Sequence, residues 1–295
     1  MRNYILLSLL AAVSFAISGI FNKLASKHAI KERWPLLFYY YVTFFPFALL
    51  IPFIAKLEFP AGNWLTLFLY SFFFFLGNIC FFTAIFKTDV SVLAPFFQLQ
   101  AVFIAILAFL FLGERFPITN YLWIALILAG VVLVSLDERM TLKSFFRKKT
   151  LLIIFMQFFH ALANLYAGFA LKAMDFWNLN LWSTVASSFF VLLFVPLLAE
   201  FKLKVSFKQL KPLLIVNFFS FIGATSLFAA FQTNLTISSA ISMLTAPIVL
   251  FISVILSKFR PEFLEHHTAK VYVVRTIGIM LILLAALKIS LGGQK

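Results

Sequence analysis

Carboxylates are scarce in this chain: ten Asp and Glu stand against 24 Lys and Arg in 295 residues. All ten fall in polar breaks or at the ends of apolar runs: Glu32, Glu58, Asp89, Glu114, Asp137, Glu138, Asp175, Glu200, Glu262 and Glu265. No acidic proton relay therefore sits midway through a run, which disfavours exchange of a proton for a cation on a central carboxylate. Cys80, the single cysteine, lies within an apolar run, so no internal disulfide can form and the residue reads as packing. Cys and carboxylates do not cluster at zinc spacing, and the adjacent His266 and His267 would diverge on a helix, so no metal site is expected. A glycine-rich phosphate loop, a Gly-x-Ser-x-Gly elbow and a His-Glu-x-x-His motif are all missing. A soluble-type NTPase or hydrolase finds no support, and no cofactor is expected.

What is abundant is hydrophobicity: 63% of the residues are apolar and 12% charged, far from the composition of a soluble domain. Apolar runs near 20 residues recur between short polar breaks, the length that crosses about 30 Å of hydrocarbon as a helix. Ten spans can be drawn, at 4–22, 34–55, 64–86, 90–112, 118–136, 150–171, 177–199, 212–232, 238–257 and 271–290. Their length and all-round apolarity predict helices rather than barrel strands. Pro46, Pro52, Pro95, Pro196 and Pro247 fall inside them and mark expected kinks. The first run follows Arg2 without a small-residue cleavage site and reads as a retained span.

One stretch recurs. Displaced by 146 positions, Gly77 falls on Gly223, Phe82 on Phe228 and Ala84 on Ala230, and the turn Lys87-Thr88-Asp89 falls on the polar turn Thr233 to Thr236. The longest polar connection, Asp137 to Lys149, separates five spans from five. This predicts a first repeat over 1–137, a basic connecting loop over 138–149 and a second repeat over 150–295. Because five is odd, the second half re-enters the membrane from the opposite side. The expected fold is an all-α membrane protein whose ten transmembrane helices form two inverted-topology five-helix repeats.

The net charge of +14 invites a nucleic-acid reading, but the basic residues sit in loops and helix ends without an aromatic-interleaved soluble face. No nucleic-acid partner is expected; the charges read as topology signals. One side of the ten-span arrangement carries 18 Lys and Arg and the other six, which places the Asp137–Lys149 loop in the cytoplasm and both termini outside.

Polar residues inside the spans point to function, because hydrocarbon does not tolerate them unpartnered. Gln157, His160, Asn164 and Gly168 lie along one stripe of the sixth span, and Ser14, Ser18 and Asn22 along one of the first. His160 is the only ionisable side chain near the middle of a span; it either hydrogen-bonds a neighbouring helix or serves a cavity. The third span offers Asn78, the fourth Gln98, the eighth Asn217 and Ser220, and the ninth Ser242 and Thr245. These twelve residues, Ser14 to Thr245, are the candidate lining of a cavity shared by spans one, three, four, six, eight and nine. The greasier fifth and tenth spans are expected at the periphery, and of the aromatics Phe75, Phe82 and Phe228 are candidates for the wall.

The run Phe15 to Ala25, the segment from Thr83 to Arg115 and its Leu-Gly-Glu ending at Leu112-Gly113-Glu114 resemble the EamA family of the drug/metabolite transporter superfamily. The chain departs from the pattern at Phe15, where many relatives have Trp, and at Arg260, which stands where Glu114 is repeated by the 146 shift. The resemblance implies a secondary transporter of the cytoplasmic membrane rather than an enzyme. It would export or exchange a small metabolite, an amino acid or related compound, by alternating access. It implies cytoplasmic termini, opposite to the charge count. The expected partners are a small-molecule solute and the lipid bilayer, with the chain a monomer or a dimer. The alternative is an intramembrane enzyme acting on a lipid-linked substrate with His160 as base.

Overall fold

The computed structural model describes residues 3–60, 62–87, 93, 96–97, 99–112, 118–135, 148–193, 205–242, 244–257 and 269–292. Among these residues the regular structure is helical, as an apolar chain requires when its own main chain must satisfy every N–H and C=O. The helices are α1 (Asn3–Leu24), α2 (Arg33–Ala48), α3 (Trp64–Lys87), α4 (Leu99–Leu112), α5 (Ile118–Ser135), α6 (Lys148–Ala170), α7 (Phe176–Leu193), α8 (Phe207–Phe231), α9 (Leu235–Ser242), α10 (Thr245–Ser257) and α11 (Ala269–Gly292). A π-helical turn, Ala25–Ala29, extends α1, and a 3-10 turn, Ile51–Phe53, follows α2. Six of the segments are long and apolar enough to cross a membrane: Asn3–Ala29, Arg33–Phe53, Trp64–Lys87, Thr150–Ala170, Phe176–Leu193 and Phe207–Phe231.

Three boundaries differ from the hydropathy reading, each for a local reason. The ninth span is two helices. Pro247 has no N–H to donate and its ring excludes a carbonyl four residues earlier, so the chain restarts at Thr245 with the proline in the first turn of α10. The eighth begins at Phe207 rather than 212, because Ser206 caps it; the Ser206 N–H donates to Gln209 Oε1 at 2.9 Å. Its first turns carry Lys208 and Lys211, which a hydropathy window rejects but a helix end at the water boundary accepts. The second stops being α-helical at Ala48, two residues after Pro46, and Pro52 lies in the 3-10 turn that follows. Pro95, Pro196 and Gln98 lie outside the described residues.

Packing exchanges the two halves. The principal pairs are α1 with α8, α3 with α6, and α5 with α11. Displacement by about 146 positions carries α1 onto α6 and α3 onto α8, so the first two pairs map onto each other and the third onto itself. Secondary contacts follow suit: α2 packs on α8 as α7 packs on α3, and α10 packs on α1 as α4 packs on α6. The fifth and tenth spans, α5 and α11, pair with each other and leave Leu122, Leu128, Val273, Ile277 and Met280 exposed on their outer faces.

The repeated glycines sit at the two main crossings. A methyl group on Gly77 of α3 would overlap the imidazole of His160 on α6, and one on Gly223 of α8 would lie 2.8 Å from Phe15 Cε1 on α1. In each case a ring of one half occupies the space where the other half has no side chain, which is how helices come close without a hydrophobic drive from solvent. One apolar cluster, with Leu36, Phe82, Phe96, Ile153, Met156 and Leu213, joins the halves at one end. A second, with Leu67, Ala163, Leu179, Leu227 and Phe231, joins them at the other.

Gly77→Ala should therefore lower the melting temperature of the purified protein, by an amount equivalent to about 1–3 kcal/mol of overpacking. Adding His160→Ala should restore part of the loss, the mark of direct contact between the two positions. Equal melting of Gly77→Ala and the parent would refute the close approach.

Candidate functional site

Between the two apolar clusters lies a partly enclosed cavity of about 100 Å³. Its walls come from α1, α2 and α3 of the first half and α6, α7 and α8 of the second. Among the described residues, spans four and nine, expected to take part, do not reach this lining: α4 packs against α6, and α9 and α10 against α1, while α2 and α7 do contribute.

The chemistry of the two walls differs. The first half contributes Phe15, Tyr40, Tyr41, Phe44, Tyr70 and Phe74, all aromatic. The second contributes the amides of Asn164 and Asn180 and the hydroxyls of Ser183, Thr184, Ser187 and Ser220, with Ala224, Leu227 and Phe228 beside them. No Asp, Glu, Lys, Arg or His is part of the described lining.

Local geometry fixes these side chains. Asn180, Ser183, Thr184 and Ser187 follow the i, i+3, i+4, i+7 spacing that places four residues on one face of α7. Thr184 Oγ1 donates to the Asn180 carbonyl at 2.7 Å and Ser183 Oγ at 3.1 Å, so both hydroxyls are held by the helix's own main chain. Asn180 Nδ2 donates to Thr225 Oγ1 of α8 at 2.7 Å, which orients its carbonyl oxygen. On the aromatic side, Tyr41 accepts a 2.8 Å hydrogen bond from Asn78 Nδ2 of α3. Asn217 of α8 donates to the Tyr40 carbonyl and to Thr43 Oγ1, both at 2.7 Å, and so pins the middle of α2. The Tyr40 and Phe82 rings meet at 5.2 Å, tilted by 60°, and Tyr70 meets Phe228 edge to face at 5.8 Å.

Of the twelve residues picked out in the sequence, Asn164 and Ser220 line the cavity. Ser18 is immediately behind, in a 2.7 Å hydroxyl contact with Ser220. Asn78 and Asn217 act through the tyrosine-bearing helix they hold. Ser14 and Asn22 are buried on α1. Gln157 is buried with neither amide atom partnered among the described residues, and His160 presses on Gly77 with its ring 5.7 Å from that of Phe74. His160 thus stands behind the aromatic wall rather than in it. Ser242 donates to the Ser239 carbonyl at 2.8 Å, and Thr245 to the Ser242 and Ala12 carbonyls at 2.7 and 3.2 Å, so both serve the α9–α10 junction and its seat on α1. Gln98 lies outside the described residues.

Sequence reasoning missed the whole α2 and α7 contribution. The four-residue polar face of α7 was legible by the periodicity rule that picked out α6; Tyr40, Tyr41 and Tyr70 were hidden by an aromatic-rich composition. Also unforeseen is a latch one turn from the cavity. Asn178 of α7 donates from Nδ2 to the Lys56 carbonyl at 3.1 Å and accepts from the Glu58 N–H at 3.0 Å, while Trp182 Nε1 donates to the Glu58 carbonyl at 2.9 Å. Asp175 Oδ2 accepts a second bond from Asn178 Nδ2 at 2.9 Å and sets its angle. The Phe59, Trp64 and Trp182 rings pack edge to face at 5.1–6.0 Å around it, binding a loop of the first half to a helix of the second.

The pattern of helices, crossings and cavity has counterparts among known proteins. A crystal structure 11% identical in sequence covers 96% of this chain and 96% of its own with a TM-score of 0.68, a likeness of fold. No curated protein matches the sequence. The model of the EamA-like transporter family matches residues 2–136. Over that first half the chain is similar to the EamA-like transporters, a family of the drug/metabolite transporter superfamily. With six helices long and apolar enough to cross a membrane, it is a multi-pass helical membrane protein, transporter-like in the half that the family model matches.

Removing the latch tests its geometry. In Asn178→Ala the Glu58 N–H loses its acceptor, and its hydrogen exchange should quicken about five- to tenfold, the equivalent of one hydrogen bond. Unchanged exchange at Glu58 would mean that the loop is held by other contacts.

Proposed function

We propose that the protein is a secondary transporter that exports or exchanges a small metabolite by alternating access through the cavity between its halves. The observation that carries this reading is that three helices of each half form the cavity, while the principal crossings, α1 on α8 and α3 on α6, exchange under the 146-residue displacement. We read the chain as two inverted five-helix repeats, 1–137 and 150–295, joined by the basic loop 138–149 and related by a pseudo-two-fold axis in the membrane plane. In such an arrangement the end that is packed and the end that is open can trade places, because each half presents equivalent helices to the other. The latch from Asn178 and Trp182 to the 54–60 loop is the contact between halves that opens on one side in that exchange.

The membrane is the cytoplasmic membrane, with the 138–149 loop on the cytoplasmic side by the charge asymmetry and the chain acting as a monomer or a dimer. The resemblance to the EamA family, which implies export of amino acids or related compounds, supports small metabolites as the cargo. For an intramembrane enzyme the base would be His160, and its place behind the Phe74 wall, against Gly77, does not support that alternative.

Purified protein in liposomes should move solute, and Ala224→Phe, which places a ring in the cavity, should abolish that movement while the protein stays monodisperse. A panel of metabolites that is not moved under any gradient, or full transport by Ala224→Phe, would refute the reading.

A further inference from the structure

The cavity is built by equivalent helices, yet its two walls are chemically opposite. Two pairs of positions related by the 146 displacement both face it: Tyr41 with Ser187, and Phe74 with Ser220. In each pair the first half supplies a ring and the second a hydroxyl. A symmetric pore would have no reason for this division, whereas a bound molecule with an apolar face and a polar edge would.

We infer that the cavity binds an uncharged, single-ring aromatic or heteroaromatic solute that carries a carboxamide or equivalent donor and acceptor group on its edge. The ring packs among the first-half aromatics and the polar group meets the amides and hydroxyls of α6 and α7. This rests on the transporter reading for its purpose but not for its chemistry. Three observations set the class. The volume of about 100 Å³ is below the roughly 150 Å³ that accepts benzene, so it leaves room for no more than one ring, whose substituent must lie toward the open side of this partly enclosed cavity. Aromatic side chains hold a flat ring by offset or edge contacts. The described lining supplies no counter-ion, so a carboxylate or ammonium would enter without compensation, at a cost that a neutral amide avoids.

The second half has groups to spare for the edge. The side chains of Asn164 and Ser187 face the cavity without a hydrogen bond to protein among the described residues. Asn180 has spent its Nδ2 on Thr225, which leaves its carbonyl oxygen as an acceptor. An amide donor and acceptor, a hydroxyl and a second amide oxygen are thus available to one small polar group. Lacking that group, a ligand would leave them buried and unpaired, which is the stronger source of discrimination.

The test uses the full chain in detergent or nanodiscs, with binding read by thermal shift and calorimetry. Four probes of similar size separate the terms: nicotinamide, nicotinate, benzylamine and cyclohexanecarboxamide. Nicotinamide should raise the melting temperature and the other three should bind at least tenfold more weakly. Ser187→Ala, a change small enough to leave folding intact, should weaken nicotinamide about tenfold, and Asn164→Leu should weaken it further. Equal or tighter binding of nicotinate or benzylamine would overturn the uncharged class. Equal binding of cyclohexanecarboxamide would overturn the aromatic requirement, and undiminished binding to Ser187→Ala and Asn164→Leu would overturn the placement of the polar edge. Nicotinamide that binds but is not carried across liposomes defeats the transport reading and leaves this one standing. Transport of solutes with no preference for nicotinamide over its charged analogues does the reverse.

Discussion

Close contact of α1 with α8 and of α3 with α6 is the feature on which the rest of this structure depends. Within a bilayer, water does not push apolar surfaces together, so helices associate by fitting and by satisfying polar side chains. Here the fit comes from Gly77 under His160 and Gly223 under Phe15. Both contacts join a helix of one half to a helix of the other, so neither half completes its packing alone. The cavity follows from this exchange: with α1, α3, α6 and α8 paired across the halves, α2 and α7 are left to close the space between them.

The buried polar residues are mostly scaffold for that space. Asn78 and Asn217 spend their amides on α2 and so hold the tyrosines at the wall. Thr43, Thr184 and Ser188 return their hydroxyls to main-chain carbonyls four residues earlier, which allows polar side chains in an apolar helix without an outside partner. What remains for a solute is a short set of groups on α6 and α7 facing an aromatic wall. Function in this molecule therefore rests on which polar groups the packing leaves unspent, more than on how many the helices carry.

Several features were legible before folding was considered. Ten apolar runs, their recurrence after 146 residues and the resemblance at Phe15–Ala25 and Leu112-Gly113-Glu114 led to the helical membrane class and to the family that the first half matches. The glycine pair was visible as repetition, but its meaning, a seat for a ring of the opposite half, was not. Of the chosen site residues, Asn164 and Ser220 reach the cavity and Gln157, His160, Ser242 and Thr245 do not. A stripe of polar residues tells that a helix face is shielded from lipid; it does not tell whether the shield is a neighbouring helix or a cavity. The break at Pro247 and the early start of α8 at Ser206 were both written in local residue chemistry and were lost to a sliding count of hydrophobicity.

Sequence by itself determined the solvent of this protein, the helical state of its main chain and the family match of its first half, because these depend on composition, run length and short-range pattern. Only the tertiary structure decided that the second and seventh spans contribute to the cavity, and that among the described residues one wall is aromatic and the other amide and hydroxyl. Those are properties of helix rotation and partner choice. They arise from contacts between residues more than eighty positions apart, such as Gly77 with His160 or Ser18 with Ser220, which no local window in the chain contains.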